Sequence, residues 1–227
     1  QAEALSLTRN SLQPNKSLVG FVGGPWTILS YGLNIKHLES FDISNSEAFI
    51  EKILYDQIIP LLRKNIEMQF DAGAEIVYVF DTNSKQLDEK YYLNRYLEVL
   101  KNELFLPNKK KLAYFSKNQC FYKQKTSQIN DLKLAGVVFS AESGLNTFLK
   151  SRGDFFIQGN FSPNSILKPH NQYLNDFNLF TQKMKELNNI QRSGWICSLS
   201  HGVLPKTPEK NVKHFVDNIR QEFFSKY

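Results

Sequence analysis

Residues 17–34 read "SLVGFVGGPWTILSYGLN" and combine an apolar run, a Gly-Gly-Pro break and a second apolar run. The first run, which ends at Gly23 and Gly24, has the length and composition of a buried β-strand. Pro25 then favours the first turn of a helix, because its fixed φ suits that position and its missing N–H is not needed there. This stretch predicts one strand, one tight turn and one helix, in that order.

The same alternation of strand and helix continues along the rest of the chain. Further strand-like runs are "EIVYVF" (75–80), "KLAYFS" (111–116), "GVVFS" (136–140), "DFFIQGN" (154–160) and "GWICSL" (194–199). Amphipathic segments separate them, and about six β-α repeats of this kind are typical of a parallel sheet with helices outside it. The pattern fits an open doubly wound sheet, and it also fits a (β/α)8 barrel that has lost two units. It contains no G-x-G-x-x-G, Walker A or G-x-S-x-G motif.

Helical spacing predicts particular buried faces and helix ends. Residues 44–74 are expected to be helical, with Pro60 kinking the helix or splitting it in two. The apolar face of this helix is expected to comprise Phe49, Ile50, Ile53, Leu54, Leu61, Leu62 and Ile66. The last helix is expected over 208–225, with Thr207 as its cap and Pro208 at its first position.

Composition limits the classes of protein to which the chain can belong. Its 227 residues, 41% of them hydrophobic, are enough for one substantial core, and we expect a single domain over 1–227. The net charge is +6, but the basic runs at Lys109–Lys111 and Lys123–Lys125 come without a nucleic-acid-binding motif, so we expect solvated surface and no nucleic-acid partner. No apolar run approaches the roughly 20 residues that cross a bilayer. Cys120 and Cys197 lack the spacing of a zinc site or a disulfide framework, so we expect no metal and a reducing compartment.

Four blocks of sequence, taken together, resemble the uroporphyrinogen decarboxylase family. They are "GFVGGPWTILSY" (20–31), "DAGAEIVYVFDTN" (71–83), "FIQGNFSP" (156–163) and "SHGVLPKTPEKNV" (200–212), and they occur in the order that the family shows. The resemblance implies a TIM-type (β/α)8 barrel, of which about six βα units are present here, and a cytoplasmic homodimer that uses no cofactor or metal. It also implies removal of the four acetate carboxyl groups of uroporphyrinogen III, which gives coproporphyrinogen III in haem biosynthesis.

Matched residue by residue, the resemblance implies that Tyr31, Thr82 and His201 are the catalytic and substrate-binding side chains. Tyr31 is expected to hydrogen-bond near the reacting acetate, Thr82 to contact a substrate carboxylate, and His201 to pair with a carboxylate or carry a proton. Phe21 is expected in the wall of the substrate pocket. All three polar residues follow expected strands, so in a barrel we expect them to converge on one hollow at the catalytic face. Without the resemblance, Tyr31 would be interpreted as a half-buried aromatic residue, Thr82 as a turn hydroxyl and His201 as a turn histidine. Asp81 would be interpreted as a turn-forming carboxylate.

The sequence departs from the family pattern in ways that keep other functions open. The family's N-terminal arginine pair and its central Asp have no counterpart, so two βα units are expected upstream of residue 1. Ser162 and Ser200 replace an Asp and a Gly of the pattern, and residues 83–85 also differ. One alternative is a tetrapyrrole-binding pseudoenzyme. The other is a cobalamin-linked methyltransferase, whose zinc-thiol site needs a later Cys where His201 stands and a His-x-Cys that this chain lacks.

Overall fold

The computed structural model describes residues 1–141, 144–151 and 153–224, and these include a six-stranded sheet. The strands are β1 (Val19–Gly23), β2 (Ile76–Asp81), β3 (Leu112–Ser116), β4 (Gly136–Val138), β5 (Phe156–Gln158) and β6 (Trp195–Ile196). Each of the six runs that the sequence predicts as a strand coincides with one of them, although β2 extends one residue beyond its run, to Asp81. Those predictions are confirmed.

The order of the strands separates the two folds that the sequence leaves open. Neighbours in the chain are neighbours in the sheet, so the order is β1-β2-β3-β4-β5-β6. A doubly wound sheet reverses its strand order at a switch point, whereas a barrel adds each strand beside the last. Val19 pairs with Ile76 and Val77 with Leu112, in parallel. Six parallel strands alternating with helices therefore form an open sheet, which is the arrangement of a partial TIM-type barrel.

Helices fill the connections between the strands. They are α1 (Ala2–Ser11), α2 (Pro25–Gly32), α3 (Glu47–Ile53), α4 (Ile59–Asp71), α5 (Glu89–Tyr91), α6 (Leu97–Leu100), α7 (Cys120–Lys123), α8 (Thr126–Asn130), α9 (Leu145–Lys150), α10 (Pro163–Leu167), α11 (His170–Lys185), α12 (Asn189–Arg192) and α13 (Glu209–Ile219). Wider π-helical turns occur at Leu54–Ile58, Tyr92–Tyr96, Lys101–Phe105 and Arg220–Phe224, and a 3₁₀ turn occurs at Thr82–Gln86. Parallel strands need such crossovers, because a short hairpin cannot return the chain to the same edge.

Pro60 changes the helix around it without ending it. The π-helical turn Leu54–Ile58 joins α3 to α4 immediately before the proline, and the Ile59 N–H donates to the Leu54 carbonyl. Pro60 has no N–H to give to the carbonyl four residues earlier, so the regular α pattern cannot continue through this point. The expected disturbance at Pro60 is thus present as a wider turn.

The predicted apolar face of this helix is partly wrong. Ile50, Leu62 and Ile66 are buried, but Phe49 is 60% exposed and Leu61 is 63% exposed. The buried stripe advances by about four residues at a time, so a residue one position before a stripe member points about 100° away from it. The expected apolar face therefore wrongly includes Phe49 and Leu61, which lie beside the buried stripe and not in it.

The described residues divide into two compact units. The first unit comprises residues 1–137 and 153–155, and the second comprises the rest of the described chain. In the first unit, α2 and α4 pack on β1 and β2. Val22, Val79 and Tyr114 lie in register on three adjacent strands and are at most 6% exposed. They form the floor of the core on which the helices rest.

The second unit has an aromatic core between α10, α11 and α13. The Phe161 ring lies 6.1 Å from the Tyr173 ring, 6.4 Å from the Phe177 ring and 5.2 Å from the Phe215 ring, measured between centroids. All four side chains are buried. The contacts of Phe161 with Tyr173 and Phe177 are edge-to-face, an arrangement that stabilises a core by more than the burial of its area.

The start of α13 differs from the prediction by one residue. The helix begins at Glu209, and Pro208 is its cap residue and not its first residue. Thr207 is not the cap, because its hydroxyl donates to the Leu204 carbonyl at 2.7 Å, in the turn before the helix. The sequence cannot show which of two competing local hydrogen bonds a threonine hydroxyl makes.

His214 on α13 lies among aromatic side chains of the second unit. Its Nδ1 lies 2.9 Å from the Tyr173 hydroxyl, and its ring lies 5.1 Å from Phe177 and 5.6 Å from His170. Burial lowers the pKa of His214 below its usual 6.5, and the nearby charges of His170 and Lys210 lower it further, against Asp217. The folded state thus binds fewer protons than the unfolded state between the two pKa values.

We therefore expect the protein to lose stability as the pH falls through 6.5 toward the lowered pKa of His214. Urea unfolding at about pH 7.5 and about pH 5 measures this loss, and His214→Gln should reduce it. His37→Gln is the control, because His37 is exposed. If the His214 and His37 variants show equal pH dependence, the assignment to His214 is wrong.

Candidate active site

Tyr31 is carried by the turn between β1 and α2 and by α2 itself. β1 ends at Gly23, the Gly24 N–H donates to the Phe80 carbonyl at 2.8 Å, and Pro25 opens the helix. Tyr31 lies in the last turn of α2 and is 61% exposed. The ammonium group of Lys36 lies 4.5 Å from the centroid of the tyrosine ring. Tyr31 thus presents its hydroxyl to solvent from an anchored helix, with a cation over its ring.

Thr82 follows β2 directly and opens the 3₁₀ turn Thr82–Gln86. Its neighbours Asp81 and Asn83 are buried, whereas Thr82 itself is half-buried. The carboxyl ends of parallel strands are where barrel enzymes place their functional side chains. The turn therefore holds the Thr82 hydroxyl at this end of the sheet while its flanking residues anchor the turn.

Asp81 is fully buried, and hydrogen-bond donors surround it. Oδ1 accepts from the Thr27 N–H at 3.0 Å and from the Thr27 hydroxyl at 2.9 Å. Oδ2 accepts from the hydroxyl of Tyr96 at 2.6 Å and from that of Tyr114 at 3.2 Å. Burial raises the pKa of Asp81, and the hydrogen bonds from Tyr96 and Thr27 oppose that rise. A Cβ at Gly24 would lie 2.4 Å from the Asp81 side chain, so the turn and the carboxylate occupy adjoining space.

Phe21 belongs to a row of aromatic rings on the open face of β1, β2 and β3. Phe21 pairs with Tyr78, and Phe80 pairs with Phe115, so the four side chains lie on one face of the three strands. The Phe80 ring lies 6.3 Å from Phe21, 5.7 Å from Tyr78 and 5.9 Å from Phe115. Phe21 is 63% exposed and Phe80 37%. Together they offer an apolar floor of the kind that a flat ring system can lie against.

His201 lies in the second unit, in the loop after β6. It is exposed, and its Nδ1 is 3.0 Å from the Gly202 carbonyl oxygen. It borders a cavity of about 680 Å³ within that unit. Asn160, Ser162 and Ser200 also line this cavity. Two positions at which the sequence departs from the family pattern, Ser162 and Ser200, thus lie beside the predicted histidine.

The predicted site residues are divided between the two units. Tyr31 and Thr82 lie on two segments of the first unit that are hydrogen-bonded to each other through Asp81, and Phe21 lies on the strand that leads into α2. His201 lies in the second unit. The sequence analysis missed the role of Asp81, whose carboxylate bonds to Thr27 and not to its own turn. The sequence signal for this contact was Gly24 after β1 and Asp81 at the end of β2. A residue without a side chain leaves room for the carboxylate from the adjacent strand.

The remaining candidate chemistry in the described ranges is limited. Within 1–141, 144–151 and 153–224, no three His, Cys, Asp or Glu side chains are grouped so that they could hold a metal ion. Cys120 and Cys197 are both free thiols, and burial raises the pKa of Cys197 to about 12. A zinc-thiol site of the methyltransferase kind therefore has no donor set among these residues. None of the helices in these ranges is both long enough and apolar enough to cross a bilayer.

Comparison with known proteins decides the family. A family model described as uroporphyrinogen decarboxylase (URO-D) matches residues 1–222. The chain belongs to the uroporphyrinogen decarboxylase family. The resemblance that four short blocks of sequence predict is thus confirmed over nearly the whole chain.

Curated members of the uroporphyrinogen decarboxylase family align along almost all of this chain. A uroporphyrinogen decarboxylase of Orientia tsutsugamushi (strain Ikeda) is 31% identical over 96% of this chain and 64% of its own length. Those of Christiangramia forsetii and Helicobacter pylori (strain Shi470) are 27% and 28% identical, over 96% and 94% of this chain and 63% and 62% of their own lengths. The chain thus spans a little less than two thirds of the length of these relatives.

Proposed function

We propose that the full-length protein removes the acetate carboxyl groups of uroporphyrinogen III and releases coproporphyrinogen III. The observation that carries the proposal is the end of the sheet in the first unit. There, exposed Phe21 and Phe80 rings form an apolar floor, and the anchored segments beside it carry the hydroxyls of Tyr31 and Thr82. A macrocycle of pyrrole rings with carboxylate arms needs this combination of an apolar surface and hydrogen-bond donors. The relatives that align with this chain are named uroporphyrinogen decarboxylase.

The substrate itself supplies most of the chemistry in this proposal. A proton added to an electron-rich pyrrole carbon turns the ring into an electron sink, so the bond between the acetate methylene and its carboxylate can break. Carbon dioxide leaves, and its bonding electrons move into the protonated ring. A second proton then adds to the former acetate methylene, which becomes a methyl group, and loss of the first proton from the ring carbon restores the pyrrole. No cofactor is required for these reaction steps. The protein contributes orientation, proton transfer and charge stabilisation.

Each predicted residue receives a role from its chemistry. Tyr31 donates a hydrogen bond at the reacting acetate, and Thr82 donates one to a carboxylate. His201 pairs with a carboxylate or carries a proton, because imidazole titrates near neutral pH. Phe21 forms part of the wall against the macrocycle. That all four residues contact one substrate stays a prediction.

The proposal includes an assembly and a location that only the family resemblance supports. We propose a homodimer in the cytoplasm, formed by a protein in which residues 1–227 belong to one barrel domain. The tetrapyrrole is the proposed ligand, and neither nucleic acid nor membrane is a proposed partner.

A second candidate function is tetrapyrrole binding without decarboxylation. It is favoured by the cavity beside His201, where Ser162 and Ser200 stand in place of an Asp and a Gly of the family pattern. Serine offers a hydroxyl where aspartate offers a charge, so a hydrogen bond accepted from the ligand would be weaker there.

Turnover of the full-length protein distinguishes these functions. We expect purified protein, supplied with uroporphyrinogen III under anaerobic conditions, to produce coproporphyrinogen III, which is detected as porphyrin after oxidation and chromatography. Heat-inactivated protein is the control for non-enzymatic loss of carboxyl groups. A folded protein that binds uroporphyrinogen and releases no carbon dioxide would refute the proposal in favour of binding alone. Stoichiometric zinc with methyl transfer would instead identify the methyltransferase.

A further inference from the structure

The first turn of α2 has no cap of its own. The residue before the helix is Gly24, which has no side chain, and the first residue is Pro25, which has no N–H. The next two N–H groups are satisfied from elsewhere in the chain. The Trp26 N–H donates to the Tyr96 hydroxyl at 2.8 Å, and the Thr27 N–H donates to Asp81 Oδ1 at 3.0 Å. A carboxylate at this end of a helix is also favoured by the helix dipole.

Tyr96 and Asp81 act as one cap because they are bonded to each other. The Tyr96 hydroxyl accepts from Trp26 and donates to Asp81 Oδ2 at 2.6 Å. Both side chains are fully buried, so solvent cannot replace either bond if it is lost. The α2 helix therefore depends on the end of β2 for the position of its first turn.

This cap joins the two chain segments that carry the hydroxyls of Tyr31 and Thr82. Asp81 is followed directly by Thr82 in the chain, and Thr27 lies about one helical turn before Tyr31. A shift of the Asp81 carboxylate relative to Thr27 would change the relative positions of the segments that carry Tyr31 and Thr82. The carboxylate itself is fully buried and does not reach solvent.

A second connection joins the same two segments. The Asn83 N–H donates to the Thr27 hydroxyl oxygen at 3.1 Å, and Asn83 Nδ2 donates to the Ser30 hydroxyl at 2.6 Å. Ser30 is the residue before Tyr31, and Asn83 is the residue after Thr82. Asn83 is only 7% exposed and stands where the family pattern differs from this sequence. This chain thus has its own amide to hold the middle of α2.

We propose that Asp81 and Asn83 are positioning residues, which fix the Tyr31 hydroxyl relative to the Thr82 hydroxyl without touching the substrate. The inference rests on the proposed function for its catalytic consequence, although the geometric part stands on the hydrogen bonds alone. It deepens that function by explaining why a fully buried aspartate lies beside the half-buried Thr82.

Two tyrosines of the same helical region provide a matched test in the full-length protein. Tyr96→Phe removes the hydroxyl that joins Trp26 to Asp81. Tyr92→Phe removes an equally buried hydroxyl, which bonds the hydroxyls of Ser116 and Tyr114 and makes no direct hydrogen bond to Asp81 or to α2 in the part of the chain that the structure describes. We expect amide hydrogen exchange at Trp26 and Thr27 to become about tenfold faster in the first variant and to stay unchanged in the second.

The catalytic readout uses the same pair of variants. Tyr96→Phe should lower kcat for uroporphyrinogen III about tenfold with little change in KM, because a misplaced hydroxyl affects the reacting group more than the bound macrocycle. Tyr92→Phe should leave kcat within about twofold at an equal folded fraction. Asp81→Asn, which keeps the shape and replaces one acceptor oxygen with a donor, is the second variant and should behave like Tyr96→Phe.

Each alternative result has one meaning. Equal exchange at Trp26 and Thr27 in the two tyrosine variants would overturn the capping role. Faster exchange with an equal kcat in both would overturn the catalytic consequence. No turnover by the unsubstituted protein would refute the proposed function, and the exchange comparison would still decide whether Asp81 and Tyr96 hold α2.

Discussion

Replacing Tyr31 with phenylalanine is expected to lower kcat/KM for uroporphyrinogen III by about 100-fold, the usual effect of losing one donor aimed at developing charge. The substitution removes only the hydroxyl. It keeps the ring, over which the Lys36 ammonium lies at 4.5 Å from the centroid. Because Tyr31 is 61% exposed, its hydroxyl does not support the core, and the free energy of unfolding should change by less than about 0.5 kcal/mol.

The measurement combines steady-state kinetics with urea unfolding of the full-length protein. Tyr55→Phe is the control, because Tyr55 is a partly exposed tyrosine on the π-helical turn Leu54–Ile58, outside the candidate site. If Tyr31→Phe and Tyr55→Phe have equal kcat/KM values, Tyr31 has no role at the reacting acetate.

Replacing Trp26 with alanine should lower the free energy of unfolding by about 3–5 kcal/mol. Trp26 is 0% exposed, and its ring lies 5.8 Å from Phe41 and 6.4 Å from Tyr96. Its indole N–H donates to Gln86 Oε1 at 3.0 Å, so the alanine variant leaves both a cavity and a buried acceptor without its donor. The second effect adds about 1–3 kcal/mol when nothing replaces the bond.

Urea unfolding followed by circular dichroism measures this loss without relying on tryptophan fluorescence. Trp26→Phe should cost less than Trp26→Ala, because the ring remains and only part of the volume and the N–H are lost. Ile190→Ala is the surface control, since Ile190 is 81% exposed. A Trp26→Ala cost no greater than that of Ile190→Ala would show that the region around α2 is already loosely packed.

The strands were predictable from sequence because their boundaries are local. Apolar runs that end at Gly, Pro or polar residues gave all six, and "GFVGGP" located β1 and the start of α2. The order of strands in the sheet was not predictable from periodicity, because each run is apolar on both faces in either fold. Only the strand order in the structure resolves it, because β4 lies beside β3 and not beside β1.

The helices were less predictable where burial does not determine the pattern. The α1 helix was not predicted, and none of its residues is buried, so it has no apolar stripe for a periodicity argument to find. Phe49 and Leu61 show the opposite problem, because large apolar residues also occur on exposed faces. In both cases the local sequence does not show which other part of the chain packs against the helix.

The sequence motifs propose the substrate-contacting residues of the candidate site, which stay a prediction, but they do not show its buried support. The family motifs led to Phe21, Tyr31, Thr82 and His201 by position, since those residues lie within recognisable blocks. The buried support was missed because Asp81 bonds to Thr27, which is 54 residues away, and to Tyr114, which is 33 residues away. Tyrosines that donate to a buried carboxylate look, in sequence, like ordinary core aromatics.

The strand order also bears on how the chain assembles during synthesis. Every strand of the sheet adjoins the strand made just before it, so no pairing has to span more than one βα unit. The entropy lost in closing each connecting loop is then that of a single crossover, and it does not grow as the chain lengthens. A nascent chain can therefore extend this sheet strand by strand as it emerges from the ribosome.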